Sequence, residues 1–567
     1  TALKPDTTRI SQPIASELAF RAGISTIVVP EVNAVGQGYR VAAWVMAEEN
    51  DSVITRGSLL VRNEDELMRV PDDLGRQLAE GLGVAEDVAG GQWWRGMPIS
   101  KAVTHSVDAY KTLLDAEEAN GQTRYGEAIA LAKEALALDT GFATAWAHLA
   151  WYHSNRRVYD SARFAFEQAS LRSERIRPEP LLAAGATAAM AEGDLARHLE
   201  LREQFLLRFG GGYNNYAVAL ALVGRHEEAV EVQLEGFEKL PFGPTASMVD
   251  NLLYWLISLG RFDEARSWAD SLSGETGTRW RFYVSLAAAD WDEAEARRRA
   301  LAAVHPPALR SASLFAARGR VRAAMEVLES LAERRIREGS WAQAEMDVEA
   351  ALTLAVAGEL PLSWDRTMLR EDPTERARRL EVIWAALERD AAKAAQLAAS
   401  LPPPIDPALE RLTETELQSL LAHARLAAAE GRWRDIERQL SPTLGVPVWD
   451  TPQPDPMTRR LTLWTLAEAY EELQRPDSAS QIWEMLTQGK GSGGGETILR
   501  GFTNSFAHRR AALAFARAGE LTQATSHWQA FLLDFTDPDP DYRWMVEEAR
   551  TELSLTKKAP LFWEQGG

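Results

Sequence analysis

One short pattern recurs along this 567-residue chain and leaves little freedom in how it can fold. A glycine, often followed by arginine, precedes an aromatic or other bulky residue, and an alanine follows three positions later. "GRFDEAR" supplies Phe262 and Ala265, "TRYGEAI" Tyr125 and Ala128, "RVYDSAR" Tyr159 and Ala162. "GRHEEAV", "DWDEAEA" and "GRVRAAM" repeat it at Ala229, Ala294 and Ala324. "GRWRDIE" places Ile436 there, while "QRPDSAS" and "GELTQAT" place Ala479 and Ala524. "GDLARHL", from Gly193, is a looser copy. Tyr125 and Tyr159 are 34 residues apart, and self-similarity at this period marks a helical solenoid.

Each part of the pattern has a mechanical reading. Gly260 ends a first helix in the left-handed conformation that a missing Cβ permits. Phe262 fills the corner. Asp263 and Glu264 sit in the first turn of a second helix, where the macrodipole favours anions. Ala265 faces the first helix and lets the two backbones approach. A single pair cannot bury its apolar face, so neighbouring pairs must stack.

The stretch "AWAHLAWYHSNRRVYDSARFAFEQA" resembles the tetratricopeptide repeat. Trp146, Leu149, Ala150, His153, Tyr159, Ala162, Phe166 and Ala169 fall on that family's signature positions, with His153 replacing the usual aromatic. Asp139-Thr140 stands where the family prefers Asp-Pro. About ten such repeats fit residues 107–555, most weakly between 335 and 430. There "RDAAKAAQLAASL" reads as a second helix whose partner is padded by "ELPLSWDRTMLREDPTE". The resemblance implies a right-handed α-solenoid whose first helices line a concave groove for peptides or partner domains. Carried onto this sequence, the groove positions are Trp151 and Asn155 in the second repeat, Asn214 in the fourth, and Asp250 and Tyr254 in the fifth. "GGYNNY" (211–216) combines glycines with Tyr and Asn, a composition suited to adaptable polar recognition. The lysine/asparagine/arginine set with which some members hold carboxylate tails is not present as a set.

The first hundred residues read differently. "SQPIASELAFRAG" (11–23) has a helical pattern, and "ISTIVVPEV", "YRVAAWVMAE" and "SVITRGSLLV" read as strands. "NAVGQG" (33–38) and "ENDS" (49–52) read as turns between them. Helix returns over 63–83, with Asn63 as its N-cap. The order α-β-β-β-α predicts a small sheet with helices on one face. The domain reading is therefore an α/β module over 1–100 and a mostly α solenoid in two parts, 101–400 and 411–557. The connections "LPPPIDPALE" (401–410) and "SPTLGVPVWDTPQPDPM" (441–457) are too rich in proline to be helical throughout. "GKGSGGGET" (489–497) reads as a flexible loop.

The run from Ala15 to Gly23, the "V-x-x-x-G-x-x-Y-R-V" hairpin from Val32 to Val41, and Ala145, His148 and Leu149 beyond them are similar to a module of bacterial membrane-anchored regulators. In those proteins a serine/threonine kinase or winged-helix domain precedes a membrane helix. A TolB-amino-domain-like module and tetratricopeptide repeats follow it. That resemblance implies an extracytoplasmic sensor region that binds a protein or peptide, with any membrane anchor upstream of Thr1. The kinase and DNA-binding parts are not in this chain, so their activities do not carry over.

Composition narrows the remaining classes. Acidic residues outnumber basic ones 82 to 62 and no basic stripe stands out, so nucleic acid is not an expected partner. Cysteine is absent, which excludes disulfides, thiolate metal sites and cysteine nucleophiles and fits an extracytoplasmic location. No apolar run is long enough to span a bilayer. The nine histidines are scattered without metal-ligand spacing. "QGKGSGGGE" lacks the phosphate-loop spacing, since Lys490 is followed by Gly491, and "VGQGYR" precedes no helix. No nucleophile elbow occurs. The expectation is a non-catalytic protein with no cofactor, acting through a surface. A scaffold subunit of a larger assembly is the alternative, and a third class is an enzyme whose catalytic part lies outside this chain.

Overall fold

The computed structural model describes residues 15–17, 19, 24–47, 52–63, 65–83, 103–122, 124–156, 158–239, 244–302, 309–360, 374–403, 412–445, 456–488 and 495–556. It divides into two compact units, one of residues 1–219 and 231–245 and one of residues 220–230 and 246–567.

The first unit opens with three antiparallel strands in sequence order, β1 (Thr26–Val35), β2 (Gly38–Ala47) and β3 (Val53–Val61). The β1–β2 turn is tighter than the sequence suggests. The strands pair up to Val35↔Gly38, leaving Gly36 and Gln37, with Gly36 at φ +62. The expected turn at 49–52 falls largely outside the described residues. A 3-10 turn over Asp65–Arg69 leads into α1 (Val70–Gly81). Asn63 caps that turn: the Glu66 amide donates to its Oδ1 at 3.1 Å, and the Arg62 amide donates to Glu66 Oε2 at 2.8 Å. Helix α1 lies on β2 and β3, burying Val41, Ala43 and Val61 against Val70 and Leu74. Edge strand β1 stays outside this layer and carries Pro30, a residue that edge strands tolerate. Of the expected helix at 11–23, residues 15–17 and 19 are described and are helical.

Helix pairs follow: α2 (Val107–Gly121) with α3 (Tyr125–Leu138), α4 (Ala143–Asn155) with α5 (Tyr159–Ser170), and α6 (Pro178–Ala191) with α7 (Leu195–Phe209). Helices α8 (Tyr213–Leu222) and α9 (His226–Lys239) straddle the division between the units. The second unit continues with α10 (Ala246–Ser258), α11 (Phe262–Ser271), α12 (Gly274–Ala287), α13 (Trp291–Ala302), α14 (Leu309–Ala317), α15 (Val321–Arg337) and α16 (Trp341–Gly358). Then come α17 (Glu375–Leu387), α18 (Ala391–Ala398), α19 (Glu414–Ala429), α20 (Trp433–Leu440), α21 (Pro456–Glu472), α22 (Pro476–Gln488), α23 (Gly495–Ala518), α24 (Leu521–Asp534) and α25 (Arg543–Thr556). The fold is mostly α, an α-solenoid of tetratricopeptide-like helix pairs behind a small α/β module.

The corner motif works as its chemistry dictates. Gly260 sits at φ +71 and Ala265 has no exposed surface. Ala128, Ala162, Ala229, Ala294, Ala324 and Ala479 are likewise fully enclosed. The arginine has a part that macrodipole reasoning alone misses. Arg261, at the helix N-cap, pairs with Glu264 at 2.7 Å and with Glu227 at 3.0 Å, a residue of the preceding pair. The first-turn acids therefore also lace one repeat to the next.

Within the weak stretch 335–430, "GSWAQA" is a corner motif, with Gly339 at φ +72 and Ala344 buried, and it joins α15 to α16. Helices α17 and α18 form a pair, as expected for "RDAAKAAQLAASL". The padding at 361–373, residues 404–411 and residues 446–455 lie outside the described residues. So do residues 489–494 of the expected loop, whose last three residues belong to α23.

The second unit closes on itself. Helix α23 packs against α14 and α16, and the segment after α24 docks on the α14–α15 corner. The Asp537 and Asp539 amides donate to the carbonyls of Arg318 and Gly319, both at 3.0 Å. The Trp291 indole donates to the Leu533 carbonyl at 2.9 Å, and the Ser505 hydroxyl to the Ala317 carbonyl at 2.9 Å. One apolar core extends from Ala312 to Ala549.

Candidate functional site

The sequence-predicted groove residues fall in both units. In the first unit, Trp151 and Asn155 lie on α4, one pair along from α2. Trp151 is 45% exposed, which is unusual for an indole on a helix whose Ala147, Leu149, Ala150 and Tyr152 are buried. Asn155 is half-buried, and its Nδ2 donates to Asn120 Oδ1 at 3.0 Å, tying the C-terminal ends of α2 and α4 together.

Beneath Trp151 lies a polar cluster that sequence reasoning missed. His148 Nδ1 stands 3.2 Å from Glu117 Oε1 and 3.3 Å from the Tyr152 hydroxyl. One neutral tautomer of His148 donates to the carboxylate, and the other accepts from the phenol. Burial brings His148 down to about 4, so it is neutral at pH 7. Burial also raises Glu117 and Tyr152, the latter with the Glu117 charge added. The result is a polar floor of Glu117, Asn120, His148, Tyr152 and Asn155, with Trp151 tilted against Tyr152, ring centres 5.9 Å apart and planes at 36°. Asn120 and Asn155 stand 35 residues apart, close to the repeat period, and extending the register by one position would have found the pair.

Asn214 lies in the first turn of α8 and is half-buried. Four of the six "GGYNNY" residues, Tyr213 to Tyr216, thus belong to α8. Its tyrosines are engaged: Lys239 donates to the Tyr213 hydroxyl at 3.0 Å, and Tyr216 contacts Glu203 at 3.4 Å.

In the second unit, Asp250 and Tyr254 lie on α10 and both meet Trp280 of α12. The indole donates to Asp250 Oδ1 at 2.5 Å, and Tyr254 stacks edgewise on it at 4.5 Å between ring centres. Trp280 is 1% exposed, so the two groove candidates hold a core side chain and present only their margins outward. Burial pushes Tyr254 up to about 12, with Tyr283 and Asp250 adding to the effect.

Polar side chains on several helices of the second unit pair with one another. Glu349 accepts from the Thr458 hydroxyl at 2.7 Å and pairs with Arg376. Arg425 pairs with Glu468 at 2.6 Å, and Arg460 donates to Thr503 at 2.9 Å and to the Leu486 carbonyl at 3.0 Å. His508 and His527 meet with their Nδ1 atoms 2.9 Å apart, and His527 Nε2 donates to Glu484 at 2.7 Å. Among the described residues no group of three or more His, Asp or Glu side chains is arranged to hold a metal ion, and no helix is long and apolar enough to cross a membrane.

No protein-family model matches the chain. No curated protein matches it either. Solved structures do. The complex of Naa15/Naa10 bound to HypK-THB aligns at 16% identity and a TM-score of 0.22, over 79% of this chain and 62% of that one. Cut9 with Hcn1, from the APC/C, aligns at 13% identity and a TM-score of 0.33, over 79% and 84%. The P58(IPK) TPR domain aligns at 15% identity and a TM-score of 0.20, over 80% and 100%. The chain spans less than two thirds of the first of these. At such scores the backbones do not superpose closely, and the fold assignment rests on the helix pairs themselves.

Proposed function

We propose that the chain is a non-catalytic protein-interaction module, and that the α2–α4–α6 face of the first unit binds an extended segment of a protein partner. The observation that carries this is Trp151: an indole 45% exposed above a rigid polar floor. Large aromatics with polar neighbours are what binding hot spots are made of. Asn120 and Asn155 hold the floor at one end, and Glu117 and His148 hold its middle, so little ordering is needed on binding. A photo-crosslinking residue placed at position 151 in the native host should trap a discrete partner that the same residue at Phe164, an exposed position on α5, does not. Identical products from both positions would remove this face from consideration.

The finer reading places the module in the extracytoplasmic sensor region of a bacterial membrane-anchored regulator. The resemblance of the N-terminal α/β module and the absence of cysteine support it. Protease added to intact spheroplasts should degrade the chain; full protection until lysis would place it in the cytoplasm. The scaffold reading draws on the closed second unit, a rigid body suited to holding subunits, and predicts co-purification at fixed stoichiometry.

A further inference from the structure

The repeat built from α6 and α7 departs from its neighbours at two positions. Helices α5 and α7 begin at Tyr159 and Leu195, so each residue of one repeat has its counterpart 36 positions on in the next. His198 therefore takes the place of Ala162, and Arg202 that of Phe166. Thr187 is the counterpart of Trp151.

His198 is 2% exposed, and its Nδ1 donates to the Ala186 carbonyl at 2.7 Å. Burial and the nearby Arg202 charge bring it down to about 4, so it stays neutral. Arg202 is then the cation of this corner, and no carboxylate among the described residues pairs with it. Its Nη2 donates to Thr187 Oγ1 at a long 3.3 Å, and its Nε is buried without an acceptor. Thr187 passes its own proton to the Ala183 carbonyl at 3.0 Å, leaving a lone pair for the guanidinium. Burial brings Arg202 down to about 10.

A guanidinium desolvated without a counter-ion is costly, and an apolar side chain of similar length would be the more stable choice. Several other enclosed arginines of this chain have a carboxylate: Arg376 has Glu349, Arg425 has Glu468, Arg509 has Glu548. Arg202 reaches Thr187, 2% exposed and one repeat beyond Trp151 in register, with donors to spare.

We infer that Arg202, set by Thr187, is a carboxylate-binding subsite of the first unit's groove, and that it takes an Asp or Glu side chain of the bound segment. This rests on the groove reading above and specifies its partner: an acidic residue placed one repeat away from the group that packs on Trp151. The forked guanidinium accepts a carboxylate through two parallel hydrogen bonds, which gives direction as well as charge.

The probe is fluorescein-labelled hexaglutamate, with hexaglutamine as its uncharged counterpart, followed by anisotropy on the full chain. Hexaglutamate should bind and hexaglutamine should not. Arg202→Met should weaken binding about tenfold or more while the melting temperature stays level or rises, because an unpaired buried charge is gone. Arg202→Lys, which keeps the charge without the fork, should fall between the two. Equal binding by parent and Arg202→Met overturns the assignment, as does a melting temperature lowered by Arg202→Met, which would show that the side chain is there for structure. Inorganic phosphate binding more tightly than hexaglutamate at Arg202 also overturns it, in favour of an oxoanion site. Trp151→Ala separates the two readings. Loss of hexaglutamate binding with Arg202→Met but not with Trp151→Ala leaves the subsite standing without the groove. The reverse leaves the groove without the subsite.

Discussion

Gly501 of α23 lies directly against Ser313 of α14: a Cβ built on the glycine would stand 2.1 Å from the serine Oγ and 2.7 Å from its carbonyl oxygen. This is a point of close approach in the closure of the second unit, and no shift of a flexible side chain relieves it, because the obstruction includes backbone. Gly501→Ala should therefore destabilise the second unit by at least about 2 kcal/mol through overpacking. Urea unfolding should show an earlier midpoint, and limited proteolysis should cut within the docked segment 535–541. An unchanged midpoint would mean that α14 and α23 are not so close.

Among the described residues, four helix corners hold the left-handed conformation without a glycine, at Ala289, Glu359, Arg389 and Gln474. Ala289 has φ 56 where Gly260 has φ 71 in the pair before it. A non-glycine residue there costs about 1–2 kcal/mol. Ala289→Gly should stabilise the chain by roughly 0.5–1 kcal/mol, since relief of that strain outweighs the added freedom of the unfolded chain. Thermal unfolding read against the parent checks the sign. A lowered melting temperature would show that the alanine methyl is packed, not strained.

Acid should weaken the first unit. His148 and His198 are brought down to about 4 by burial, from 6.5 in the unfolded chain. Between those values the unfolded state binds protons that the folded state refuses, so stability is full above 6.5 and falls as the pH drops toward 4. Each histidine contributes on the order of 1–2 kcal/mol of this loss by pH 5. His198→Asn keeps a donor near the Ala186 carbonyl and removes the titration, so its melting temperature should fall less between pH 7 and pH 5. Equal slopes for parent and variant would contradict the burial of a neutral His198.

The local rules of this fold were legible in the sequence because each is written in three or four adjacent residues. Gly260, Phe262 and Ala265 stand for a cap, a corner and a close approach, and the structure uses all three. What escaped is held by residues far apart or by departures from the repeat. Nothing periodic in Trp291 and Leu533 announces that they meet across 242 positions. Asp250 and Tyr254 read as groove residues from their register, yet they share Trp280, which register alone does not reveal. Arg202 escapes the short motif because it lies three residues beyond "GDLARHL", the looser copy in which His198 already stands where an alanine belongs.

The central claim is that the first unit recognises a partner through the face that Trp151 marks. The affinity of the partner captured at position 151 tests it most directly, compared between Trp151→Ala and Phe164→Ala. Both residues are large, aromatic and exposed, at 45% and 53%, but they lie on opposite helices of one pair. Trp151→Ala should weaken binding by about 1–3 kcal/mol, with Phe164→Ala within about 0.5 kcal/mol of the parent. Equal affinities for the two variants, or a loss confined to Phe164→Ala, would contradict it.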